Sequence, residues 1–365
     1  MTDSLKTLPL AHRHAEFGAK FAPFAGFEMP MQYTSIMDEH RAVRSGAGLF
    51  DVSHMGEIRL VGKKAVEVAN QLISHDLRNT KNGQARYAVL CTPEGGIVDD
   101  LIAYKISDEE IFFCVNASNQ DKDFAFMVEH CGDGATLTNE SEAWGQFALQ
   151  GQDAEEILAP ICMIDLAELD YYHFAIGEVA GVQCIISRTG YTGEAGFELY
   201  VPTDQVVHVF DHIVSAGRPM GMAMCGLGCR DTLRLEAKFP LYGNDLSEQT
   251  NPLEAGLAWV VKLDKPEDFV GRKAIEAVKA EGVKRRLRGY ILQDKGVLRP
   301  HYAIHADGAQ VGELTSGTFA PSLGIGIGMG YVDIAHAERE TVEIEIRGRQ
   351  HAATMTRKPF YQRDY

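Results

Sequence analysis

The sequence predicts an α+β protein of two or three domains, built from antiparallel sheets and ending in a part that is β-structure throughout. Three observations carry this. The chain has 365 residues, and one domain ordinarily takes roughly 100 to 200. Residues 57–140 run through EIRLVG, KKAVEVANQLI, ARYAVLCT, IVDDLIAYKI, EIFFCVNAS and NQDKDFAFMVEHC. Strand-like and helix-like periods alternate there, and the turns between the middle three strands are too short for a parallel crossover. Near the C-terminus Val342, Ile344 and Ile346 alternate with Glu343, Glu345 and Arg347, which is the pattern of a strand buried on one face.

Taken in order, IMDEHRAV has the spacing of an amphipathic helix through Ile36 to Arg44, with Ser35 as its N-cap. FDVSHMG then turns into the half-buried strand EIRLVG. His54, at this strand entry, reads more readily as a satisfied core residue than as a ligand or base, and stays unassigned. In GGIVDDLIAYKI, Gly95 to Ile106, twin glycines signal a sharp turn. Val98, Asp100, Ile102 and Tyr104 fall on one face of that strand, and Ile97, Asp99, Leu101 and Ala103 on the other. One Asp must face inward, as a satisfied structural group or a functional one.

Residues 141–250 resume with strands AWGQFALQG, HFAIGEVAGVQCIISRTG and GFELYVP, a helix VVHVFDHIVSAG, and the helix start GCRDTLRLEA. His208 and His212 share a helix face but lack an HExxH-type glutamate, so a solvated or half-packed face is expected. NPLEAGLAWVVKLDK, Asn251 to Lys265, reads as an apolar strand ending in a charged turn. From about 285 short strands between Gly, Pro and Asp turns predict a small barrel or sandwich. Gly324-Ile-Gly326-Ile-Gly328-Met-Gly330 superficially resembles a dinucleotide loop, but no helix follows, so it reads as a close-packed strand or turn.

Composition narrows the function. A net charge of −16 argues against sequence-independent nucleic-acid binding, which needs a basic face. The densest basic run is Lys284-Arg285-Arg286-Leu287-Arg288, the natural meeting point for an acidic partner. No run approaches the ~20 apolar residues of a membrane span, and no signal-peptide core opens the chain, so a cytoplasmic protein is expected. Seven scattered cysteines fit free thiols rather than a disulfide framework. Cys225 and Cys229 have no second pair to complete a zinc site, and no metal is expected. In RTGYTGEAGFEL the glycines around Tyr191 permit close backbone approach to a ligand, though a tight hairpin would look the same.

FDVSHMGE, GGIVDDL, SRTGYTGEAGFEL, GCRDTLRLEA, LYGND, NPLEAGLAWVVKLDK-DFVGRKA, GELTSGTFAPSLG and the final KPF occur in unbroken order from about residue 10 to the end. This series resembles the aminomethyltransferase family, the T-protein of the glycine cleavage system. The resemblance implies three domains arranged as a cloverleaf around a central folate-binding hole: 1–56 with 141–246, 57–140 with 247–282, and a C-terminal barrel at 283–365. It implies transfer of the aminomethyl carbon from the lipoyl arm of H-protein to tetrahydrofolate, with release of ammonia and formation of 5,10-methylenetetrahydrofolate. It places the catalytic aspartate on Asp100, and folate contacts on Tyr87, Asn116, Tyr191, Glu198, Arg230 and, in the tail, Arg363 or Tyr365. Some relatives carry a tyrosine where this chain has Phe239.

The residue types suit that chemistry. A carboxylate can stabilise positive charge developing as the S–C bond of an N,S-acetal breaks, or position the folate amine and accept its proton. Tyr87 and Tyr191 suit a flat ring, Glu198 the ring's N–H groups, and Arg230 a glutamyl carboxylate. A folate-binding iron–sulfur assembly factor of the same fold carries a cysteine in its KGCYxGQE loop, where this chain has GYTGE. Related folate-dependent demethylases and a non-catalytic folate-binding protein are the alternatives.

Overall fold

A computed structural model describes residues 5–365. The chain forms two compact units. The first comprises the chain up to Ala69, Leu77–Tyr87 and Leu101–Asp231, and the second Asn70–Asp76, Ala88–Asp100 and Thr232–Tyr365. The class is α+β, as the sequence predicts: helices accompany sheets that are largely antiparallel, and the C-terminal strands close into a barrel.

Two sheets carry most of the strands of the first unit, and two strands of the five-stranded one continue into the second through Ala88–Cys91 and Ile97–Asp100. In one, five strands lie in the order Gln84–Cys91, Ile97–Ser107, Glu110–Val115, Gly56–Val61 and Thr136–Asn139. In the other, six lie in the order Phe174–Val179, Val182–Ser187, Gly196–Pro202, Trp144–Gln150, Gly48–Asp51 and Ala223–Met224. The helix Ile36–Ser45 starts at Ser35, whose side chain accepts the Asp38 N–H at 3.1 Å, confirming the cap. The helix Val206–Gly217 places Val206, Val209, Phe210 and Ile213 in the core under the six-stranded sheet. His208 and His212 are exposed on its other side and bond to backbone carbonyls at 3.0 and 2.8 Å.

The twin glycines before the Asp100 strand are a structural necessity. Gly95 has φ 83°, and a Cβ on Gly96 would stand 1.8 Å from the Glu248 carbonyl oxygen. The Ile97 N–H lies within bonding distance of Ser247 O (3.1 Å) and Thr250 O (3.0 Å), fixing where the strand begins.

In the second unit the strands Arg285–Leu292, Ile325–Asp333, Ala309–Ala320, Ala303–Ala306, Thr341–Ile346 and Arg349–Thr356 close a six-stranded barrel in that order. The glycine run is part of it. A Cβ on Gly330 would come within 2.4 Å of the Glu313 carbonyl oxygen, so these glycines serve close strand packing.

Two expectations fail here. Residues 251–265 contain no strand, only turns and the short helix Ala258–Val260. Pro252 has no N–H to give a ladder and Gly256 sits at φ 81°, so local bonds such as Leu257 N–H to Pro252 O (2.8 Å) replace pairing. The basic run 284–288 is also not one exposed patch. Arg285 is forked onto Glu254 (2.9 and 3.1 Å), Leu287 is buried, and Arg288 is 8% exposed with its Nε donating to Ala337 O at 2.9 Å. The run therefore spreads over both faces of its strand: Arg286 is half-buried with Nη1 donating to Leu253 O at 3.3 Å, and Lys284 is the exposed cation.

Candidate functional site

The face of the five-stranded sheet that carries Tyr104 is the starting point. Ala85, Tyr104, Phe112 and Cys114 pack there with Phe174, Ile185 and Tyr200 of the six-stranded sheet. The two-residue period puts Tyr87 on the same face as Ala85, and Asp100 and Ile102 on the same face as Tyr104. Asn116 follows Cys114 by the same step, and Glu57 is the cross-strand partner of Cys114. Asp100, Tyr87 and Asn116 are half-buried. Asp99 falls on the opposite face with Ile97, Leu101 and Ala103, all at most 2% exposed. The strand is thus covered on both sides, and the fully buried carboxyl is Asp99. Burial alone therefore does not single out the functional Asp.

Glu198, on the strand Gly196–Pro202, is 6% exposed. Thr189 Oγ1–H donates to its Oε2 at 2.6 Å, and Gln146 Nε2 reaches its Oε1 at 3.5 Å. Gln146 Nε2 also lies 3.3 Å from the Tyr200 hydroxyl, which is 2.9 Å from that of Tyr104. The carboxylate is therefore held by a buried network.

Tyr191 sits in a loop built around two side chains. Gln150 donates to Thr189 O at 3.1 Å and accepts from Thr192 Oγ1 at 2.8 Å. Arg44 Nη1 donates to Thr192 O (2.7 Å) and Glu194 Oε1 (2.8 Å). Against this fixed loop the Arg230 guanidinium lies over the Tyr191 ring, 4.8 Å from its centroid. Arg230 Nη1 is buried without a partner among the described residues.

His54 is 3% exposed, with the edges of Phe24 and Phe27 turned against it and Nδ1 unpartnered. Burial, and then the charge of Arg230, push its pKa down to about 3, so the imidazole is neutral. Two groups that sequence reasoning missed are Thr189 and Glu57. In EIRLV, Glu57 alternates with Ile58 and Leu60 and reads as a solvent-side residue, but it is 1% exposed because a second sheet covers that face.

Arg363 and Tyr365 lie exposed at the end of the second unit, the Arg363 guanidinium 5.5 Å from the Tyr365 ring centroid. The chain before them is pinned, Phe360 and Tyr361 N–H both donating to Glu236 O at 2.9 Å. Phe239 is half-buried, and its carbonyl accepts from Arg234 Nη1 at 3.1 Å. Among the described residues one cluster has metal-ligand types within reach, Glu39 with Cys225 and Cys229. The Glu39 oxygens there already accept the N–H groups of Tyr33 (2.7 Å), Thr34 (3.0 Å) and Gly226 (2.9 Å).

The chain has close counterparts among known proteins. The GCVT N-terminal domain model matches residues 10–265, and the glycine cleavage T-protein C-terminal barrel domain model matches residues 285–362. The chain belongs to the glycine cleavage T-protein family. An aminomethyltransferase of Desulfitobacterium hafniense is 45% identical over 361 residues, covering 98% of this chain and 99% of that one. Another, of Lysinibacillus sphaericus, is 45% identical over 367 residues and covers both chains completely, at 100%. The crystal structure of glycine cleavage system aminomethyltransferase T from Bartonella henselae superposes with a TM-score of 0.93 at 34% identity, over 99% of each chain. Likeness of this extent makes the chain an enzyme, an aminomethyltransferase.

Proposed function

We propose that this family member takes the aminomethyl group from the lipoyl arm of H-protein, releases ammonia and passes the carbon to tetrahydrofolate as 5,10-methylenetetrahydrofolate. The single observation that supports folate most is the Arg230 guanidinium, stacked on Tyr191 with a buried, unpartnered Nη1. A buried guanidinium N–H group without a partner, beside a fixed aromatic ring, suits an acid that also carries a flat ring.

In this reading Tyr87 and Tyr191 flank the ring system and Asn116 bonds its edge. Glu198, locked by Thr189, accepts from the ring's N–H groups, and Arg230 takes the glutamyl carboxylate. Asp100 stands on the same sheet face as Tyr87 and Asn116, and holds or accepts the proton of the attacking amine. Arg363 or Tyr365 makes the tail contact. The three-domain division and the cytoplasmic location belong to the same proposal; no helix of the described residues is long and apolar enough to cross a membrane. Supplying aminomethylated H-protein with and without tetrahydrofolate tests it. Folate-dependent ammonia release with methylenetetrahydrofolate formation is expected, and folate binding with no ammonia would make the chain a non-catalytic binder.

A further inference from the structure

We propose that Glu57 is a further ligand-binding residue, one that hydrogen-bonds the ring half of the folate beside Glu198. The inference rests on the folate reading above and adds to it a residue that no part of that reading uses.

Both carboxyl oxygens of Glu57 are buried without a partner among the described residues. The fold does not employ this side chain. Its backbone is satisfied on its own account, the N–H donating to Ser141 Oγ at 3.0 Å and the carbonyl accepting the Glu140 N–H at 2.8 Å. Arg59 lies two residues along the same strand and therefore on the same face. Arg59 is committed elsewhere, forked onto Glu140 through Nε (2.8 and 2.9 Å) and bonded to Glu110 through Nη1.

A lone carboxylate in such a place is too costly, so the group keeps its proton. Burial, and then the charge of Glu140, hold the Glu57 carboxyl well above its ordinary value. A neutral carboxylic acid brings one O–H donor and one C=O acceptor. Neither has a protein partner, which is the condition of a group awaiting a ligand.

The position relative to Glu198 follows from register. Glu57 pairs directly with Cys114 across two strands. Cys114 Sγ–H reaches Gln146 Oε1 at 3.6 Å, and Gln146 reaches Glu198 at 3.5 Å. Glu57 and Glu198 thus stand on either side of the Cys114–Gln146 pair, in one buried polar network; a bicyclic heterocycle carrying both carbonyl and N–H groups is the ligand chemistry the two carboxyls suit. Glu198 accepts, whereas Glu57 can also donate.

The test is equilibrium binding of tetrahydrofolate and of tetrahydropteroate, which lacks the glutamyl tail, to the full chain and to Glu57→Gln, Glu57→Leu and Arg230→Ala. Glu57→Gln keeps a donor and an acceptor and is expected to bind both ligands within about twofold of wild type. Glu57→Leu is expected to weaken both by about tenfold, the scale of one lost hydrogen bond. Arg230→Ala is expected to weaken only tetrahydrofolate. Should Glu57→Leu lower the melting temperature too far to assay, Glu57→Met replaces it. Unchanged binding by Glu57→Leu overturns the proposal, which would leave an ordered water as the carboxyl's partner. So does loss confined to tetrahydrofolate, or an equal loss in Glu57→Gln. Failure of the unmodified protein to bind either ligand would instead bring down the folate reading itself.

Discussion

Removing one hydroxyl should loosen Glu198, the carboxylate proposed to bind the folate ring. Thr189→Val is nearly isosteric and deletes the Oγ1–H that donates to Glu198 Oε2 at 2.6 Å. What then holds Glu198 is the Gln146 amide at 3.5 Å, the limit of a hydrogen bond. A bond to a charged group contributes about 1.5–3 kcal/mol. Part of that loss falls on stability, since Glu198 is 6% exposed and its Oε2 is left without this donor. If about 1.4 kcal/mol is lost from binding, the folate Kd rises tenfold. Turnover at saturating folate should stay within about twofold, because a uniform binding loss appears in KM rather than kcat. Thr189→Ser should restore affinity, as a hydroxyl is all that is required. Fluorescence titration with tetrahydrofolate, with steady-state kinetics alongside, decides this. An unchanged Kd in Thr189→Val, or a collapsed kcat at unchanged Kd, refutes the assignment.

Three further outcomes follow from the same geometry. The Glu57 carboxyl is held above its unfolded value of 4.5, so its protonated form favours folding. That stability is fully present below about pH 4.5 and is lost as pH rises toward the folded value. Glu57→Gln should therefore melt higher than wild type at pH 8, with the difference vanishing near pH 4; melting curves across pH check it, and a constant difference contradicts it. Lys265, 1% exposed, donates from Nζ to the carbonyls of Asn70 (2.6 Å), Ile73 (2.5 Å) and His75 (2.9 Å). Lys265→Met removes all three bonds and should cost about 3 kcal/mol or more in denaturant unfolding; a loss under about 1 kcal/mol would show the lysine to be dispensable. Any electrostatic part of the proposed H-protein association should respond to reversing the exposed Lys284, since Arg285, Arg286 and Arg288 are engaged within the unit. Affinity indifferent both to that change and to salt would show this stretch to be a solvated face.

Much of the fold was legible because local and tertiary signals agree. Helix 36–45, the helix at 206–217 and the strand after Gly95–Gly96 all carry caps, periods or turn residues that fix them. The apolar run at 251–265 misled because hydrophobicity without alternation does not separate a buried strand from buried turns. The N-terminal sheet, Lys6–Thr7 with Phe27–Gln32 and Lys20–Phe24, was invisible, its strands being short and broken by Pro23 and Pro30. At the site, the family resemblance pointed to Tyr191, Glu198 and Arg230, and the structure joins Tyr191 to Arg230 by stacking. Thr189 and Glu57 stayed hidden because their meaning lies in contacts across layers. Strand period separated Asp99 from Asp100, but which face carries chemistry is a tertiary fact.

The central claim is that Asp100 carries the transfer, and single-turnover measurement of Asp100→Asn beside Asp99→Asn tests it most directly. Ammonia release and methylenetetrahydrofolate formation from aminomethylated H-protein would be followed together, with folate Kd and melting temperature recorded for each variant. Asp100→Asn should bind folate nearly as wild type, melt normally and lose about 10²-fold or more in rate, the scale of a positioned acid–base or electrostatic group. Asp99→Asn, altering a carboxyl that is 0% exposed on the opposite face, should lose stability more than rate. A near-normal rate in Asp100→Asn, or equal rate losses in the two variants, would contradict the account.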